Sequence, residues 1–119
     1  MPTFHLAIVV ATIFIGLFPA RAAPVDSSVQ ELYRMCQERD GSVDAWRCTE
    51  YVAGVGDALD FSSGLPNTKL FAICGRPSYG AMVQAFKNWA VKHPEDWAKS
   101  RIYGVALALV QTWPCKSNN

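Results

Sequence analysis

The chain has 119 residues, half of them apolar, and 11 Lys and Arg against 10 Asp and Glu, a formal net charge of +1. One domain is the most this length holds, and the composition is that of a folded protein rather than a disordered one. A nucleic-acid surface needs a basic footprint that displaces counterions, and no basic run or stripe is present. Electrostatic attachment to anionic lipid lacks a polybasic segment in the same way.

Leu6 to Phe18 reads LAIVVATIFIGLF, an uncharged run bounded by Pro19 and the small-residue pattern Ala20-Arg21-Ala22. It is too short to span a bilayer comfortably and suits the apolar centre of a cleavable export signal. Cleavage is expected after Ala22 or Ala23. Residues 1–23 are then a signal peptide, and 24–119 a single domain of near-zero net charge that meets no membrane once the signal is removed. In a bacterium this places the protein in the periplasm.

The exported part carries four cysteines, Cys36, Cys48, Cys74 and Cys115. An even count in a short exported chain points to disulfides, and three pairings are possible. Cys36–Cys48 with Cys74–Cys115 is preferred. The first would close a short helical hairpin; the second would tie the approach to a third helix to the chain end. No CxxC is present and His93 is the one histidine left after cleavage, a poor match to a structural zinc site. Nothing points to a cofactor or a metal.

The expected fold class is all-α, a small disulfide-stapled bundle of four main helices. Ser28-Val-Gln-Glu31 has capping-box spacing, and the first helix should run to about Glu38. Asp40-Gly41-Ser42 is a turn. A second helix starts near Ser42 and ends near Phe61, with Ala45, Cys48, Val52, Val55 and Leu59 on its buried face. Leu70-Phe71-Ala72-Ile73-Cys74 is read as buried coil. Ser78 caps a third helix with the stripe Met82, Val83, Phe86, Trp89 and Ala90, closed by His93-Pro94. Pro94, Glu95 and Asp96 suit the first turn of a fourth helix, whose stripe is Ala98, Ile102, Val105, Ala106, Leu109, Val110 and Trp113.

Catalytic signals are weak. His93 precedes a proline at a helix end, where a solvated turn residue is the plainer reading, and paired cysteines leave no thiolate. Gly54-Val-Gly56 lacks the third glycine and the preceding strand of a dinucleotide site. Both glycines are expected to mark close helix packing. Glu50, Asp57 and Asp60 are expected to form an exposed carboxylate row on one side of the second helix.

The ordered set Cys36, Cys48-Thr-Glu-Tyr51, Gly54, Asp57-Ala58, Cys74, Pro77, Lys92-His93-Pro94-Glu95 and Trp113-Pro114-Cys115 resembles the Tai-type immunity proteins of type VI secretion amidase effectors. The resemblance runs over about residues 30–115. Cys74-Gly-Arg-Pro77 stands where that family commonly has Cys-x-Pro, and Trp113-Pro-Cys115 where it has Phe-Pro-Cys. It implies an all-α periplasmic protein, a homodimer, that plugs the active site of a peptidoglycan-cleaving amidase and has no catalysis of its own. The other function weighed is a periplasmic acid-stress chaperone. A plug needs a protruding segment fixed at its base, and the longest polar break offers Ser62, Ser63, Leu65, Pro66, Asn67 and Lys69 as candidate partner-binding residues. The carboxylate row is the competing surface.

Overall fold

The computed structural model describes residues 26–116; the expected signal peptide and its cleavage site lie outside them. Four helices, α1 (Val29–Cys36), α2 (Val43–Ser63), α3 (Tyr79–Lys92) and α4 (Arg101–Thr112), enclose one core. No strand occurs among the described residues, only two isolated bridges, Ser28 with Ser100 and Ile73 with Pro114. Nor is any described helix long and apolar enough to cross a membrane.

Three serines start three helices in the same way. The hydroxyls of Ser28, Ser42 and Ser78 accept from the amides of Glu31, Ala45 and Ala81 at 3.1, 3.1 and 3.2 Å. Each satisfies an amide that the helix itself leaves unpaired. The capping box at Ser28 is only half built. The Ser28 amide donates to Asp26 at 2.9 Å, while the Glu31 carboxylate takes Arg34 at 2.8 Å. Arg34 also reaches Asp44 at 3.1 Å, joining the exposed sides of α1 and α2.

The helices depart from the sequence reading at three places. First, α1 stops at Cys36 rather than Glu38, and the chain reverses through Gly41, whose φ of 85° favours glycine. Second, α2 runs to Ser63, and its buried residues are Cys48, Val52, Ala53, Gly56 and Leu59; Ala45 and Val55 are half-exposed. Third, Pro94–Asp96 is a separate 3₁₀ turn, and α4 begins at Arg101. The reason is tertiary. The amides of Val29 and Gln30 in the first turn of α1 donate to Lys99 and Trp97 at 2.8 and 3.0 Å, and the Arg101 amide donates to Ser27 at 2.7 Å. The two helix starts satisfy each other, so the turns between Pro94 and Ser100 stay out of α4 with the Trp97 and Lys99 carbonyls directed at α1. Ala98 and Ile102 are exposed, and the buried face of α4 is Gly104, Val105, Ala108 and Leu109.

The core comprises Leu32 and Val29 from α1, Val52 and Cys48 from α2, Phe86 from α3, Val105 and Leu109 from α4, and Ile73 from the α2–α3 connection. Both disulfides pair as preferred, Cys36 with Cys48 and Cys74 with Cys115, spanning 12 and 41 residues. On the chain-entropy account they contribute about 3 and 4 kcal/mol. That is a large share of the stability of a domain this small.

The glycines divide. Gly54 faces open space and is not a packing contact, contrary to expectation. Gly56 lies against Met82, where an added Cβ would overlap the thioether. At Gly104 a Cβ would stand 2.7 Å from Val29 Cγ2 and 3.0 Å from Trp89 Cζ3, both held in the core. Gly104→Ala should therefore destabilise the fold by about 1–3 kcal/mol. Gly54→Ala should stabilise it by up to ~1 kcal/mol through helix propensity. Urea melts of the two variants check this; equal midpoints would contradict the assigned packing.

Candidate partner-binding surface

The segment between α2 and α3 is clamped at its base. The Ile73 amide donates to Leu59 in α2 at 3.3 Å, and the Cys74 amide donates to Trp113 after α4 at 3.0 Å. Ala72 and Ile73 are fully buried, and the Cys74–Cys115 disulfide follows at once. A loop of about a dozen residues therefore leaves and re-enters the core at one point, the geometry of an Ω-loop.

Its interior is also tied. Gly64 caps α2 and the Leu65 amide donates to Ser62 at 3.1 Å. The Thr68 hydroxyl donates to the carbonyls of Ser62 and Leu65, and the Phe71 amide to Thr68 at 2.9 Å. Asn67 takes φ of 63°, a left-handed conformation that asparagine tolerates better than most residues. Lys69–Phe71 forms one 3₁₀ turn.

This framework presents apolar side chains to solvent. Leu70 is 83% exposed, Phe71 72%, Phe61 71% and Leu65 42%. Four large apolar residues of one short segment thus stand in water.

The expected loop residues are placed unevenly. Ser62 and Ser63 are not in the break; they form the last turn of α2, and their hydroxyls donate back to Ala58 and Asp60 at 2.9 and 2.7 Å. Leu65, Pro66 and Asn67 are exposed as expected. Lys69 opens the 3₁₀ turn. Phe61, Leu70 and Phe71, none of them among the expected loop residues, are exposed beside these. The reading of Leu70 to Cys74 as buried coil holds only for Ala72 and Ile73.

The carboxylate row is divided between two hollows. Asp57 and Asp60 border a cleft of about 510 Å³ with Arg76, Tyr79 and Met82 at the start of α3. Both Asp57 oxygens accept from the Tyr79 hydroxyl at 3.2 Å. That hydrogen bond, and then the charge of Asp57, hold the Tyr79 phenol above its usual range. Glu50 instead borders an apolar groove of about 410 Å³ between α2 and α4, floored by Gly54, Val55, Ala58 and Ala106 and flanked by Ile102. The Arg101 guanidinium lies 4.3 Å from the centre of the Tyr51 ring at the same edge.

No free cysteine is present among the described residues. The scaffold is a disulfide-locked helical bundle that presents a clamped apolar loop to solvent. Residues 28–115 match the family model described as Rap1a immunity proteins, and the chain belongs to that family. Neither a curated protein nor a solved structure matches the chain. Family membership makes it an immunity protein, an effector-neutralising inhibitor and not an enzyme.

The clamp yields an expectation of its own. Replacing Cys74 and Cys115 together with serine should cost about 4 kcal/mol on the chain-entropy account. Amide exchange should accelerate first at Ile73 and Cys74. Exchange that rises only in α1 and α2 would place the clamp elsewhere.

Proposed function

We propose that this chain neutralises a peptidoglycan-cleaving amidase effector in the periplasm, acting as a homodimer after removal of its signal peptide. The observation that carries the reading is the clamped apolar loop, Phe61 to Phe71, on a member of an immunity family. An inhibitor gains affinity when the segment it inserts is ordered beforehand, because less conformational entropy is lost on binding. Aromatic and aliphatic side chains set on such a segment are the usual anchors of tight protein interfaces. The resemblance to Tai-type proteins supports an amidase as the target, and the disulfides suit an oxidising compartment. Family membership favours this reading over the acid-stress chaperone.

A second copy has a surface of its own. Ile102 is 57% exposed beside the groove floored by Gly54, Ala58 and Ala106. A two-fold interface needs a projection and a hollow on the same face, and Ile102 with its neighbouring groove supplies both.

Leu70→Ala with Phe71→Ala should raise the inhibition constant against the cognate amidase by about tenfold or more, with little change in melting temperature. Inhibition unaltered by this pair would exclude the loop as the inserted segment. Ile102→Asp should convert the dimer to monomers by light scattering while the helical signal is kept. A dimer that survives the change uses another face.

A further inference from the structure

We propose that the turn His93–Asp96 binds a divalent transition-metal ion of the zinc class through His93, Glu95 and Asp96. Each of the three offers one ligand atom, and these atoms lie within 4.8 Å of one another. His93 Nδ1 and a Glu95 carboxylate oxygen are already 3.0 Å apart. Two ligands bound to zinc at about 2.0–2.1 Å stand roughly 3.4 Å from each other at the tetrahedral angle. The pair therefore has nearly the spacing of two ligands on one ion, and Asp96 needs about an ångström of side-chain movement to join them.

The turn is fixed before any ion arrives. The amides of His93, Asp96, Trp97 and Lys99 donate to Ala90, His93, Pro94 and Asp96 at 3.3, 3.0, 3.3 and 3.0 Å. The Trp97 indole donates to the Ala90 carbonyl at 2.8 Å. The His93 ring lies against Trp89 with centroids 4.7 Å apart and planes 27° from parallel, which restricts rotation of the imidazole. The Glu95 side chain is exposed and held by His93, whereas the Asp96 side chain is 14% exposed.

Asp96 already holds a cation. The Lys99 ammonium sits 2.9 Å from its carboxylate. In the same position that ammonium lies 3.2 Å from the Tyr103 hydroxyl and 4.4 Å from its ring centre. A divalent ion that takes Asp96 would have to displace Lys99 from the carboxylate, leaving it the Tyr103 contacts. One imidazole with two carboxylates selects the chemistry of the ion. Calcium and magnesium favour all-oxygen shells, whereas zinc and its neighbours accept nitrogen and carboxylate together, with water completing the set. The four cysteines take no part, since all are paired in disulfides.

The test is calorimetry with zinc chloride on the exported protein, purified without a histidine tag in a non-chelating buffer. One equivalent should bind, and the Trp89 indole signal should shift in nitrogen–proton spectra. His93→Ala should weaken binding by about tenfold or more, and His93→Gln should do the same if alanine disturbs the turn. Lys99→Met, which removes the internal competitor, should tighten binding severalfold. Calcium should give no comparable heat. Absence of binding at millimolar zinc, binding by either His93 variant as tight as that of the unaltered protein, or no tightening in Lys99→Met would each overturn the proposal.

Discussion

The backbone from Leu59 to Trp113 is joined through two consecutive amides. Ile73 donates to Leu59 at the end of α2, and Cys74 donates to Trp113 at the end of α4. Everything at this end of the molecule depends on that junction. With Ile73 fully buried, the connection behaves as a fifth core element, although it contains no regular structure beyond one 3₁₀ turn. The Cys74–Cys115 disulfide holds the same point covalently and ties down the chain after α4, which would otherwise fray. The loop between the two attachment points can then be apolar and exposed without collapsing onto the core, because its ends have nowhere to move.

The opposite end is organised by a different exchange. The first amides of α1 pair with carbonyls of the Trp97–Lys99 segment, and the first amide of α4 pairs with Ser27. Helix starts usually take a side chain or water for these groups. Here two helices supply backbone to one another, and Gly104 lets Val29, Trp89 and Phe86 close over the contact. The arrangement explains the absence of a side-chain cap at Ser100.

Much of this was legible in the residues. Caps at Ser28, Ser42 and Ser78, the stripe of α3 and the four-cysteine framework follow from local chemistry, and the structure keeps them. The start of α4 was misread because Pro94-Glu95-Asp96 meets every local rule for a first turn, while the competing partner, the α1 backbone, is distant in sequence. The exposure of Leu70 and Phe71 is not legible in their apolarity, because apolar residues make up much of a folded protein's surface as well as its core. The glycines are a different case. Gly56 falls four residues after Val52 and three before Leu59, on the buried period, whereas Gly54 does not. That distinction was present in the spacing and separates a packing glycine from an exposed one. The division of Glu50 from Asp57 and Asp60 was not legible, because it depends on where α3 and α4 dock against α2.

The size of the domain connects these features. A domain of this size buries a smaller fraction of its surface than a large one and has little stability in reserve. Leaving Phe61, Leu70 and Phe71 in water forgoes apolar burial worth about 1.5–3 kcal/mol for each side chain. Two cross-links offset a loss of that order by restricting the unfolded chain instead of enlarging the core. The division of labour follows: covalent bonds supply stability, and Phe61, Leu70 and Phe71 stay in water. Without the cross-links the same loop would lack that compensation and would be expected to bury Phe71, which couples the disulfides to the exposure of the loop.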